Sequence, residues 1–285
     1  NQVKFGDSED KNTNPTLFLE FLEKRSIQAN IKKNNKLIIR PVKRQIIMIG
    51  IIAAVRFLHH NGVAHRNLVP SSIWLDENFY PRVFDFSRSR ESATNDNRNA
   101  TALNSDHFRY QAPEILDNQE YNMLSIDIFA LGRLMYLLIT ASEPFAHPLD
   151  ELKGQNNFKI IRKIMEEKYP FLDNSISPAL QQLLLKCWSN NPNDRPTASE
   201  IYEFMTAEIS NGSVLINGIK KNDLGEIQAY INMLEEFDKE NLVQTPIYES
   251  FEFNLPYKDT ESKDSQINRL DDFLKNEDKI RNNEE

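Results

Sequence analysis

The 285-residue chain has a single cysteine, Cys187, which rules out an internal disulfide and fits a reducing compartment. It also lacks an excess of positive charge: 34 Lys and Arg stand against 42 Asp and Glu, for a formal net charge of -8. With nothing in excess to neutralise phosphates, this balance argues against nucleic acid or an anionic membrane as the main partner. The basic cluster Lys32, Lys33, Lys36, Arg40, Lys43 and Arg44 reads as one solvated face. No uninterrupted apolar run reaches membrane-spanning length, and no signal peptide opens the chain. Together these absences predict a soluble protein of the cytoplasm or another intracellular space. What is present is ordinary for such a protein, 40% hydrophobic and 27% charged residues, enough to bury a substantial core in one large domain or two small ones.

Along the chain, residues 1–15 form a polar leader. Thr16–Leu22 is an apolar run of strand length followed by the turn-like Glu23–Ser26. Pro41–His60 has apolar residues on most sides, Pro41 suited to a first helical turn and Asn61-Gly62 suited to an end, which predicts a buried helix. Ile73–Leu75 and Pro81–Phe84 read as short strands joined by the turn Asp76–Asn78. Ser89–Asp106 is rich in Ser, Thr, Asn and Asp and reads as a mobile surface loop. Ser125–Thr140 is apolar all round, as a central helix must be. Helices are further expected over Phe158–Lys168, over Pro178–Trp188, after a Thr197/Glu200 capping box, and over the amphipathic Asp223–Glu240. Residues 246–285 are highly charged and read as a solvated helix or disordered tail.

Six motifs, in a fixed order, carry a resemblance. Val63-Ala64-His65-Arg66-Asn67-Leu68-Val69-Pro70-Ser71-Ser72 and Phe84-Asp85-Phe86-Ser87 are followed by Ala112-Pro113-Glu114, by Asp127 with Gly132, by Glu143-Pro144-Phe145, and by Cys187-Trp188 with Arg195-Pro196-Thr197. This series resembles the eukaryotic protein kinases, and its last motif resembles their tyrosine-kinase and tyrosine-kinase-like groups. In such kinases a His-Arg-Asp loop supplies the residue that deprotonates the substrate hydroxyl, an Asn nearby holds magnesium, and the Asp of Asp-Phe-Gly holds the metal that bridges the phosphates. The resemblance therefore implies an α+β fold: the mainly helical carboxyl-terminal kinase lobe over residues 16–209, an added helical segment over 210–245, and an amino-terminal β lobe that is absent or incomplete. Upstream of Leu17 there is no Gly-rich loop and no strand bearing a phosphate-anchoring Lys, which suggests a fragment or an incomplete gene product.

The same resemblance assigns roles by position. Asn67 stands at the base position beside Arg66 and His65; Asp85 is the metal ligand, Ser72 stands at the second metal-ligand position, and Phe21, Leu22 and Glu23 at the nucleotide hinge, although an edge strand without a ligand suits Phe21–Glu23 equally. Glu114 and Arg195 match a buried ion pair, and Asp127 matches a carboxylate that accepts backbone hydrogen bonds from the catalytic loop. The chemical positions have changed more than the scaffold positions. An amide at residue 67 cannot take a proton, and general-base catalysis is typically worth about 10²- to 10⁴-fold. Val69 replaces a common Lys, and Ser72 is a shorter, weaker ligand than Asn. Only Asp85 keeps its metal-binding identity, so binding of Mg-ATP is expected to be weak at best.

Three readings follow. The first is a pseudokinase-type domain whose partners are other proteins. The second is an active kinase of serine/threonine or tyrosine type with unusual catalytic residues. The third is a degenerate product without a folded function. Ser89, Ser92, Thr94, Thr101 and Ser105 lie in the loop above Arg66, which allows either phosphorylation there or an unmodified polar loop.

Overall fold

The structure is a computed structural model describing residues 21–32, 36–91, 105–116, 122–146, 169–174 and 176–241, all within one compact unit, Asn1–Thr245. Its centre is α2, Met123–Thr140, sixteen of whose eighteen residues are buried. Asn122 starts this helix by accepting the Leu124 N–H at 3.0 Å, two residues earlier than the apolar pattern alone suggested. Its last carbonyls are satisfied from another helix: Arg44 donates Nη1 to Leu138 O at 2.6 Å and Ile139 O at 3.0 Å. By length and mean hydropathy α2 could cross a membrane, but Asp127 and Arg133 interrupt its apolar run and 89% of it is buried inside the fold.

Around α2 pack α1, Pro41–His60, and α3, Pro178–Cys187. Pro41 begins α1, and Gly62, at φ +68°, takes the chain out of it. Gly132 of α2 is needed for the contact with α3: a Cβ there would lie 2.7 Å from both Cys187 Cβ and Trp188 Nε1. α4, Ala198–Ser210, starts at a complete capping box, Thr197 N donating to Glu200 Oε2 at 2.7 Å and Glu200 N to Thr197 Oγ1 at 3.2 Å. α5, Leu224–Asn241, docks on α1 by burying Ile227, Tyr230 and Ile231, so the segment expected as an addition is packed into the same unit as the rest.

The strands are short. β1, Val63–Ala64, pairs antiparallel with β4, Arg90–Glu91, and β2, Ile73–Leu75, with β3, Pro81–Val83, in the register Ile73↔Val83, Trp74↔Arg82, Leu75↔Pro81. The β2–β3 connection, residues 76–80, is shaped by Asp76 Oδ1, which accepts the N–H groups of both Asn78 (2.9 Å) and Tyr80 (2.8 Å), while Phe79 is left-handed at φ +66°. Arg90 and Glu91, within the segment Ser89–Asp106 read as a surface loop, are instead paired; residues 92–104 of that loop, the polar leader 1–15, residues 16–20 of the first apolar run, the expected helix 158–168 and the tail 246–285 lie outside the described residues. Helices with two small antiparallel sheets make this an α+β arrangement.

Candidate functional site

The site is built where α2, the loop after β1 and the end of β3 meet. Asp127, 1% exposed on α2, holds the loop from below: Oδ2 accepts His65 N–H and Oδ1 accepts Arg66 N–H, each at 2.7 Å. A carboxylate accepting two backbone N–H bonds makes charge-assisted contacts that fix the loop, which includes Arg66 in a left-handed conformation at φ +63°. His59, at the end of α1, also reaches Asp127 Oδ2, at 3.1 Å. Sequence reasoning missed His59; its only signal was a second histidine beside His60, six residues before the loop.

His65 is fully buried and ties the loop to β3, with Nε2 2.9 Å from Phe84 O and its ring edge-on to Phe86 at 4.8 Å. Its Nδ1 accepts the Asn67 N–H at 3.3 Å, so Nε2 carries the proton and donates to the carbonyl. Burial pushes this imidazole below its ordinary value, with Asp127 the strongest opposing influence. His65 is therefore a neutral strut rather than a proton carrier near pH 7.

Beyond Phe84 the chain turns through Asp85, left-handed at φ 63°, and both carboxylate oxygens find neutral donors. Ser87 Oγ donates to Oδ1 at 2.6 Å, and Asn67 Nδ2 donates to Oδ2 at 2.7 Å. The Ser87 hydroxyl, more than any other group, holds the Asp85 carboxyl below its usual value; desolvation opposes it, and the Ser87 backbone, Asn67 and His65 add to it. Ser87, where a glycine is expected by resemblance, is not among the positive-φ residues and sits in an ordinary helical turn, so its side chain costs no backbone strain.

Ser72, 2% exposed, spends its hydroxyl on the Val69–Ser72 turn, donating to Val69 O at 2.9 Å and accepting Val69 N–H at 3.1 Å. Among the described residues no group of three or more His, Cys, Asp or Glu could hold a metal ion. One carboxylate, already hydrogen-bonded on both oxygens, and one committed hydroxyl do not fit the pair of magnesium ions that the resemblance implies.

Other predicted positions lie apart from this cluster. Phe21 is 82% exposed and Leu22 is buried, Leu22 O accepting Arg25 N–H at 3.2 Å in a turn. Among the described residues no hydrogen bond links Phe21, Leu22 or Glu23 to Asn67, Ser72 or Asp85. The segment after them is held to the site's hairpin through Ile27 N to Ile73 O (2.9 Å) and Leu75 N to Arg25 O (3.0 Å). Glu114 and Arg195 form a bidentate buried pair at 2.5 and 2.9 Å, with Arg195 also donating to Ser125 O and Ser189 O. That pair ties the residues around Ala112 to the lobe's last helices. Between the loop and this segment lies a small cavity of about 30 Å³, lined by Arg66, Asn67, Val69, Arg88, Tyr110 and Ala112 among others, with room for water.

Comparison with known proteins points to one family. The chain is 26% identical over 185 residues to sperm motility kinase 2B of Mus musculus, covering 65% of this chain and 36% of that protein. It is 25% identical over 207 residues to serine/threonine-protein kinase STY17 of Arabidopsis thaliana, covering 72% and 34%. With dual specificity protein kinase shkB of Dictyostelium discoideum it shares 25% identity over 236 residues, covering 79% and 35%. The chain thus spans about a third of the length of these relatives. The family model described as the protein kinase domain matches residues 1–205, taking in residues 1–15 as well as the segment read as kinase-like, and on that match, over most of its 285 residues, the chain belongs to the protein kinase family.

Proposed function

We propose that this kinase domain is catalytically impaired, a pseudokinase of the tyrosine-kinase-like group that works by binding other proteins. The hydrogen bond from Asn67 Nδ2 to Asp85 Oδ2 carries this reading. The residue at the base position is a donor and has no lone pair basic enough to take a substrate proton, which forfeits about 10²- to 10⁴-fold in rate. The same bond occupies the one carboxylate at which a metal-bound phosphate is expected. Ser72, with its hydroxyl turned to Val69, offers no second ligand. Grouping with tyrosine-kinase-like proteins rests on the Cys187-Trp188 and Arg195-Pro196-Thr197 residues.

A second reading, an active serine/threonine or tyrosine kinase with unusual residues, draws on Asp85, whose carboxyl is held below its usual value and so stays charged at neutral pH, and on the intact Asp127 and Glu114–Arg195 framework. Thermal unfolding of the native full-length protein with and without saturating Mg-ATP separates the two. A ligand at about 100 times its dissociation constant stabilises by about 2.7 kcal/mol. The proposal expects no shift and no phosphotransfer above background. A shift and a robust transfer that both vanish in Asp85→Ala would overturn it.

A further inference from the structure

α5 lies beyond the residues matched by the kinase family model, yet it is docked over a specific seam between α1 and the β2–β3 hairpin. Ion pairs pin it at both ends: Glu226 in its first turn to Lys43, and Asp238 in its last turns to Arg56, whose guanidinium also stacks on Tyr202 at 3.7 Å. Between these pins Tyr230, 4% exposed, lays its ring 4.5 Å from Tyr80 at the end of the hairpin turn. Its hydroxyl enters a notch at Gly50 of α1: a Cβ on Gly50 would lie 2.3 Å from Tyr230 Oη and 2.5 Å from Pro81 Cγ. Tyr230 and Pro81, the first residue of β3, therefore share one socket that only glycine leaves open.

The rest of the turn is held through the same helix. Lys43, paired with Glu226, donates to Asn78 O at 3.1 Å and places its ammonium 5.9 Å from the Phe79 ring. Asn78, Phe79, Tyr80 and Pro81 are thus each touched by α5 or by residues that α5 holds. From Pro81 the strand leads directly to Phe84, whose carbonyl His65 grips and whose N–H donates to Ser72 O at 2.8 Å, and then to Asp85. The hold is thin by comparison with the core: α5 buries three residues where α2 buries sixteen, and it is reached through a connection with Gly212 and Gly218 at φ +82° and +91°. An element with so few buried contacts opens at lower free energy than the core does.

We propose that α5 is a strap whose docking in the Gly50 notch holds the β2–β3 hairpin, and with it Asp85, in place, and whose release loosens that hairpin while the helical core stays folded. The coupling does not depend on whether Asp85 meets a nucleotide, so it stands or falls separately from the impaired-kinase reading. Amide hydrogen exchange on the full chain tests it with two variants that act from α5 alone, Tyr230→Ala and the double change Glu226→Lys with Asp238→Lys, and with Gln228→Ala on the exposed face as control. Both disrupting variants are expected to speed exchange of the Leu75 and Phe84 amides by about tenfold or more, leaving α2 as protected as in the wild type and Gln228→Ala unchanged. Faster exchange in α5 with an unchanged hairpin would overturn the proposal. So would a parallel loss of protection in α2, which would make α5 part of the one cooperative core.

Discussion

Asn67→Asp tests the central contact most directly. The change is nearly isosteric, but it replaces the Nδ2 donor 2.7 Å from Asp85 Oδ2 with a carboxylate oxygen. Losing the hydrogen bond costs about 1 kcal/mol. Two charges about 3 Å apart in the effective dielectric of about 40–80 suited to the exposed Asp85 add about 1.5–3 kcal/mol of repulsion. The sum, about 3 kcal/mol at pH 7.5, corresponds to roughly 6–12 °C in Tm for a domain of this size. Its pH dependence has a definite sign. In the wild type Asp85 has a lowered folded pKa, so its contribution is present above the unfolded carboxyl value near 4 and fades as pH falls through the folded one. In the variant the two carboxylates share a proton, one folded pKa rises above the unfolded value, and the repulsion disappears as that proton binds. The gap between wild type and variant should therefore narrow to about 1 kcal/mol by pH 4.5, whereas Asn67→Ala, which adds no charge, should lie about 1 kcal/mol below the wild type at pH 7.5. Thermal or urea unfolding across this range is the assay. An Asn67→Asp protein as stable as wild type at pH 7.5, or a gap that widens on acidification, refutes the contact.

Two further perturbations probe the scaffold. Glu114→Gln leaves Arg195, whose side chain is wholly buried, without its counter-charge, and should cost about 3–5 kcal/mol in urea unfolding; a loss under about 1 kcal/mol would mean the pair is not closed in solution. Burial pushes the Cys187 thiol up to about 12, so it should resist alkylation at pH 8 in the folded protein and react within minutes once denatured; fast labelling of the native state would show that α3 does not seal it.

Local features of the chain were readable because the forces behind them are local. Pro41 and Asn61-Gly62 bound α1, and Thr197 with Glu200 starts α4, since each signal acts within one helical turn of its effect. Apolar residues on all faces of the stretch 126–139, broken only by Asp127 and Arg133 among charged residues, pointed to a central helix because every face of such a helix must be covered. Where a polar side chain outbid the apolar pattern the limit moved: Asn122 began α2 two residues early by capping it.

Residue identities alone carried the family order of motifs, the approximate spans of α1 to α5, the Pro41 and Thr197/Glu200 helix starts, and the chemical poverty of positions 67, 69 and 72, because the side chain itself decides whether a group can take a proton or bind a cation. What those residues do instead follows from contacts made across long stretches of chain. Asn67 and Asp85 are 18 positions apart, His59 and Asp127 are 68, and Arg44 and the carbonyls it caps are 94 and 95. The Gly50 socket joins α1, Pro81 and Tyr230 across 180 residues of chain. No periodicity or propensity carries such pairings; they exist because packing α1 against α2, and the hairpin and α5 against α1, brings distant segments together, and the polar groups trapped at the seams must then find partners in one another.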